Sequence, residues 1–465
     1  MSVADSPAPA IDRKREQRGW TWYDWANQVF PTSVVTVFLS GYLTAVAKEA
    51  AREDVARNGP DACATGSLQQ CDISLLGAYF PAGSLWGYLL SIATVVQVVV
   101  LPVMGAIADR TRNKRRMLGG LAFTGAAATV ALAFVGGSDW QLGVAVFILG
   151  NICYGASVVV YYAFLPEIAT PDERDAVSSR GWAFGYLGGG LALAVQLGLF
   201  IGHDALGLSE GAAVRVGFVL SGLWWAGFTL IPLARLKRDP QPRDGESGAS
   251  VLSAGFRELR RTMRQARTFP LTLAFLGTYL IYTDGIATVA NVSAQYGRDE
   301  LGLDETVLIA TILIVQFVAF AGAVLHGWLA RHWGAKRTIM VSLIVWIFVI
   351  GAAFFVQAGQ QLQFYGLAVG IGIVLGGTNA LSRSLFSQMI PPGREAQYFS
   401  LYEVGERSTS WLGPLVFAGV GQATGSFRLA IISLVVFFVV GFVLMIFVPV
   451  RKAIAAAGNP LPAKV

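Results

Sequence analysis

Gly105-Ala-Ile-Ala108-Asp109-Arg110-Thr-Arg-Asn-Lys114-Arg115 ends one apolar run and opens the next, and 222 residues later the chain reads Gly327-Trp-Leu-Ala330-Arg331-His332-Trp-Gly-Ala-Lys336-Arg337. Gly, Ala and the Lys-Arg pair keep the same spacing in both stretches. A second match, Pro171-Asp-Glu-Arg174 against Pro392-Gly-Arg394-Glu395, sits at nearly the same offset. The sequence therefore reads as a duplication, and the repeated unit is a set of apolar runs joined by short charged loops.

The composition says what those runs are. Apolar residues make up 54% of the 465 residues and charged residues 14%, against about 25% charged in a soluble chain. Lipid must replace water around much of this protein, which argues against a soluble enzyme and against a nucleic-acid partner. A membrane helix needs about 20 mostly apolar residues because every backbone group must be paired within the segment. Twelve stretches qualify, at 21–46, 85–108, 117–136, 141–164, 181–202, 214–234, 270–295, 306–330, 338–356, 363–386, 399–421 and 428–448. The fold class expected is an all-α polytopic membrane protein, twelve spans in two six-helix halves about an axis normal to the membrane, with the site at the midplane between the halves.

Of 35 Lys and Arg, six (Lys48, Arg52, Arg57, Arg215, Arg298 and Arg428) fall in loops on one side, Arg383 and Arg407 fall within spans, and the rest lie on the other side. The positive-inside rule makes that richer side cytoplasmic and places both termini there. The division expected is a cytoplasmic tail 1–20, a first half 21–234, a cytoplasmic linker 235–269, a second half 270–450 and a cytoplasmic tail 451–465. In the linker, Leu252, Phe256, Leu259 and Met263 share a helical stripe among Arg257, Arg260, Arg261 and Arg264, the pattern of a basic amphipathic helix on an anionic leaflet. Cys63 and Cys71 share the loop between spans 1 and 2, where a disulfide and two free thiols are both open readings.

The stretch from Gly105 to Arg115 resembles the loop 2–3 signature of the major facilitator superfamily, with Arg112-Asn113 where that signature has one Gly. Glu167 and Arg174 repeat the superfamily's Glu, six residues, Arg spacing. Tyr23-Asp24-Trp25-Ala26-Asn27 and Tyr282-Thr283-Asp284-Gly285 resemble the branch of autophagy-related vacuolar amino-acid effluxers and their bacterial relatives. The resemblance implies a twelve-helix transporter in a bacterial inner membrane. It also implies a cytoplasmic gate of Gly105, Asp109, Arg110, Glu167 and Arg174, in which the loop 2–3 acid faces the N-terminus of span 11. The acid's place in the second half is taken by Arg331, so the gate is expected to be asymmetric. Asn151 stands where proton-linked members carry an Arg, so proton coupling is not inherited from the pattern.

Ionisable groups inside lipid cost enough to be functional candidates by default. Span 1 carries Asp24, Asn27, Gln28 and Pro31 on one face, span 7 carries Asp284, Thr288, Asn291 and Gln295, and span 4 carries Asn151 and Tyr154. Span 10 adds Asn379 and Arg383, and span 11 adds Glu403, Glu406, Arg407 and Ser410. The substrate-binding or coupling set expected is Asp284, Asp24, Asn27, Asn151, Tyr154, Asn291, Asn379, Arg383, Glu403 and Arg407. Asp284 leads it and opposes Arg383 as acid and base for a zwitterion.

Three His with no metal-ligand spacing, and no phosphate-cradling Gly-Lys-Ser/Thr loop, speak against an enzyme, a metal cofactor and ATP-driven pumping. The function expected is secondary active efflux of small polar solutes, amino acids foremost, by a monomer in the bilayer, using no cofactor unless a proton. An exporter or flippase of amphipathic, lipid-linked substrates and a sensor built on a transporter fold are the alternatives.

Overall fold

The computed structural model describes residues 10–60, 62–63, 71–75, 77–111, 113–237, 264 and 267–465. The amphipathic helix expected around Leu252 to Met263 lies outside the described residues. Eleven helices are long and apolar enough to cross a membrane. In chain order they are α1 (Asp12–Glu53), α2 (Ala82–Arg110), α3 (Lys114–Phe134), α4 (Trp140–Ile168), α5 (Arg174–Ile201), α6 (Glu210–Arg235), α7 (Pro270–Asp299), α8 (Thr306–Trp333), α9 (Ala335–Ala353) and α10 (Gln361–Gln388), with α12 (Phe427–Phe447) last. The twelfth span, α11, is split into Glu395–Thr409 and Leu412–Thr424. The protein is thus an all-α membrane protein of twelve spans in two halves of six. Both termini lie on one face, here the termini face.

Two departures from regular helix have local causes. Pro31 has no N–H to donate, and the chain adopts a π-helix over Phe30–Leu39, with the Thr36 hydroxyl donating to the Pro31 carbonyl at 2.8 Å. Such π segments often mark functional sites. In α11 the turn at Ser410 and Trp411 precedes Pro414, which also cannot donate and is tolerated because it falls in the first turn of the piece that restarts at Leu412. The freed Gly413 N–H donates to Asp284 Oδ2 of α7 at 2.7 Å.

On the face opposite the termini, the α1–α2 loop forms a hairpin of β1 (Asp72–Leu75) and β2 (Ala78–Pro81), with Ile73 paired to Phe80. Cys63 and Cys71 are joined by a disulfide. On the termini face the end of the chain crosses both halves. Asn459 donates to the Gln388 and Ile390 carbonyls at 2.8 and 2.7 Å, Ala463 N–H to Asp172 Oδ1 at 2.7 Å, and Lys464 to the His332 carbonyl at 3.0 Å.

Candidate functional site between the two halves

A cavity of about 550 Å³ lies between the halves. The first half contributes Gln28, Pro31, Thr32 and Thr36 of α1, Trp86 and Leu90 of α2 and Tyr186 of α5. The second contributes Val289, Asn291 and Tyr296 of α7, Thr311 and Gln316 of α8, Val349 of α9 and Phe364, Ala368 and Leu375 of α10. Among the described residues no Asp, Glu, Lys or Arg lines it. Gln316 Nε2 donates to Thr32 Oγ1 across the halves at 3.2 Å. In α1 and α5, which rise from the termini face, the lining begins only at Gln28 and Tyr186; in α10, which descends toward it, the lining ends at Leu375. The cavity therefore belongs to the part of the molecule away from the termini face.

Below the cavity floor the halves are joined. Arg383 of α10 is 0% exposed and its Nη1 reaches Asp24 Oδ2 of α1 at 3.1 Å. Asp24 also accepts from the Tyr161 hydroxyl at 2.8 Å. The Arg383 Nε and Nη2 donate to the Ser178 hydroxyl and carbonyl of α5 at 2.9 and 2.8 Å. Trp20 and Tyr162 lie 4.8 Å from the guanidinium, Trp182 5.4 Å and Tyr161 5.7 Å. A cation without water gains from aromatic faces as well as from its counterion. Space for the pair comes from Gly181, where a Cβ would stand 2.6 Å from Asp24 Oδ2 and 2.9 Å from Arg383 Nη2. Nearer the termini, Ser384 donates to Asp175 Oδ1 at 2.6 Å, and Arg174 Nη1 to the Ser387 carbonyl at 3.0 Å.

A second seam joins α2 to α11. Asp109 accepts from the backbone N–H groups of Ala396 and Gln397, both at 2.9 Å, and so meets the positive end of α11. Gly105 allows the approach, since a Cβ there would lie 2.6 Å from the Ala396 carbonyl oxygen. Lys114, absent from the expected gate, links two of its members, at 3.8 Å from Asp109 and 2.5 Å from Glu167. Arg110 is exposed at the end of α2. Outside the spans, Glu173 accepts from Thr170 N–H at 3.1 Å, Gln17 at 3.1 Å and Arg13 at 3.2 Å. Partial burial alone would raise its pKa, but these donors outweigh it and hold the carboxyl below its ordinary value.

The expected binding residues do not form one group. Arg383 faces Asp24, 359 residues away, rather than Asp284. The Asp284 carboxylate is spent on the break in α11, and its Oδ1 and the Thr288 hydroxyl have no partner. Glu403 and Arg407 form an ion pair within α11, while the neighbouring Glu406 accepts from the Tyr279 hydroxyl at 2.7 Å. Asn291 is exposed to the cavity; Asn27 and Asn379 keep amide oxygens without partners. The Asn151 carbonyl accepts from Gln97 at 2.6 Å, and the Tyr154 ring tilts against Phe30 at 5.5 Å. From the sequence, Tyr161 and Trp182 read either as core or as aromatics for an apolar guest, whereas the structure sets both against the Arg383 guanidinium; Ser178 and Lys114 were missed, and of these only Lys114, in the repeated stretch, carried a local signal. Among the described residues no three His, Cys, Asp or Glu side chains converge as metal ligands.

Comparison with known proteins agrees with this geometry. The family described as "Vacuole effluxer Atg22 like" matches residues 12–458. An uncharacterized MFS-type transporter, YxiO, of Bacillus subtilis is 28% identical over 96% of this chain and 98% of its own. Autophagy-related protein 22-1 of Penicillium rubens is 25% identical, covering 94% and 90%. Among solved structures, the proton:xylose symporter XylE aligns with a TM-score of 0.65 at 14% identity, covering 94% of this chain and 95% of that one. The human organic anion transporter MFSD10 gives 0.64 at 14%, covering 95% and 100%. With twelve spans in two halves, and with relatives that are transporters rather than enzymes, the chain belongs to the Atg22-like family of major facilitator superfamily transporters.

Proposed function

We propose that this transporter carries small solutes that combine polar and apolar parts, amino acids with apolar side chains foremost, by alternating access in a bacterial inner membrane with both termini cytoplasmic. The observation that carries the reading is the cavity itself. It draws its walls from both halves, offers amides and hydroxyls (Gln28, Thr32, Asn291, Gln316) beside apolar surface (Val35, Trp86, Leu308), and stops above a zipped termini face. A site shared by two halves that are joined on one side is the arrangement alternating access requires. The charge asymmetry of the loops supports the orientation. The efflux direction rests on the family resemblance.

The apolar share of the lining also favours the second reading, export of an amphipathic substrate. The experiment is uptake and counterflow in proteoliposomes with labelled leucine, challenged by other amino acids, a sugar and a short-chain amphiphile. Saturable leucine flux, displaced by neutral amino acids and not by the sugar, is the expected result. Flux displaced only by the amphiphile would replace the first reading with the second.

A further inference from the structure

We infer that Asp24 and Arg383 are the recognition groups for the ammonium and carboxylate of a zwitterionic solute, and that their mutual ion pair is the placeholder that keeps the termini face shut until such a solute replaces it. The inference rests on the transport reading above and names the solute class and the step that it triggers.

Three observations converge on it. The pair crosses the halves, with Asp24 on α1 and Arg383 on α10 at 3.1 Å, so the termini face does not open while it holds. It is one helical turn beyond the cavity floor: Gln28 follows Asp24 by four residues, and Tyr186, whose ring is 5.5 Å from Trp182, follows it by four. A turn is about 5.4 Å, the reach of a solute's polar head. Finally, among the described residues the cavity lining holds no Asp, Glu, Lys, Arg or His, so a zwitterion resting there must reach beyond the lining for its complements, and this pair offers an acid and a base together on the joined side.

The energetics choose the solute class. Parting a buried ion pair leaves two uncompensated charges in a medium that does not solvate them. A sugar brings nothing to offset that loss. An amine alone satisfies Asp24 and strands Arg383; a carboxylate alone does the reverse. Only a molecule bearing both charges on neighbouring atoms satisfies both partners while it separates them. The Ser178 hydroxyl and carbonyl and the rings of Trp20 and Tyr162 belong to the first half, as Asp24 does, so they hold the guanidinium only while the face is closed and release it with the ion pair as the halves part. Asn27 and Asn379 stand one turn above Asp24 and Arg383 in their helices, with amide oxygens that have no partner, and supply acceptors for an ammonium on its way down.

The test reads the separation of the halves directly. Spin labels at R116C and R337C, exposed residues at the starts of α3 and α9 on the termini face, report the separation of the halves in nanodiscs, with Cys153 replaced by Ala. The probes are leucine, isoamylamine (the ammonium alone), isocaproate (the carboxylate alone) and glucose. Leucine is expected to populate a longer distance and the other three are not. D24N/R383Q is expected to show the longer distance without any probe and to ignore leucine. Should that variant fail to fold, R383K keeps a cation without the two-pronged hold on Ser178, and is expected to raise the open fraction without leucine. Opening by either single-charge probe or by glucose, or a D24N/R383Q or R383K variant as closed as the parent, overturns the inference. Leucine flux in proteoliposomes with no leucine-driven opening would overturn it too, while leaving the transport function standing.

Discussion

The termini face is closed along two seams that use different chemistry. At the α2–α11 seam a carboxylate, Asp109, meets the uncharged N–H groups of a helix end; at the seam of α10 with α1 and α5 a carboxylate, Asp24, meets a buried guanidinium. The duplication makes the difference instructive. At the end of α8, Gly327 packs against Ser179 of α5 as Gly105 packs against Ala396, so the close approach recurs while the charges do not. Arg331, at the place of Asp109, is exposed, and Lys336, at the place of Lys114, donates to the Ile446 and Val448 carbonyls at the end of α12 at 3.1 and 2.8 Å. Both latches are buried, with the Asp109 and Lys114 side chains 4% and 3% exposed and those of Asp24 and Arg383 9% and 0%. The first sits at the end of its spans, whereas the second lies one turn from the cavity, where a charged solute can intervene.

The largest effect on this comparison is expected from Gly181→Ala. Its Cβ has no room between Asp24 and Arg383, and a forced methyl costs about 1–3 kcal/mol before any weakening of the ion pair. Thermal unfolding in detergent should show a loss of about 3 kcal/mol, and an unchanged midpoint would mean that the Asp24–Arg383 latch is slack. Gly105→Ala comes next, at about 2 kcal/mol, because the clash is with the Ala396 backbone. Gly327→Ala should cost less, since its neighbour is the Ser179 side chain. Equal losses would remove the distinction between the seams.

Asp109→Ala strips two N–H groups of their acceptor and is expected to cost about 1 kcal/mol, the scale of a lost helix cap. Glu173 tests the edge of the first half. Its folded-state pKa is depressed, so its contribution is present above the unfolded-state value, about 4.3, and is lost as pH falls through the lower folded-state value. Glu173→Gln should therefore lower the unfolding midpoint at pH 7 and converge with the parent in acid; a gap that is constant with pH would contradict this. Arg331→Ala, the smallest, should leave both stability and label distances unchanged.

Much of the architecture was legible because lipid imposes a simple rule on sequence. Runs of apolar residues gave the twelve spans, the repeated stretch gave the two halves, and Asp109 was readable because it sits in that stretch. The break in α11 was only half visible, for Pro414 marks a place where a helix loses a donor but says nothing of Asp284 arriving to accept from Gly413. The Arg383 partner was not visible at all. Asp24 and Arg383 meet across an interface assembled from different halves, no periodicity within either helix encodes the other, and Asp284 has equal claim by composition. Ser178 and Trp182 lie in a glycine-rich stretch that reads as packing. The π-helix at Phe30–Leu39 follows from Pro31, yet a proline alone does not distinguish a π turn from a kink.

The central claim is that solute crosses between the halves and that the termini face must part for it to do so. The direct measurement is leucine counterflow in proteoliposomes bearing D175C/S384C, a cysteine pair replacing the hydrogen-bonded contact between α5 and α10, on a Cys153→Ala background. Oxidation should abolish flux and a reductant should restore it, while the parent, whose Cys63–Cys71 bond lies in the loop on the opposite face, responds to neither. Undiminished flux through the cross-linked protein would contradict the account.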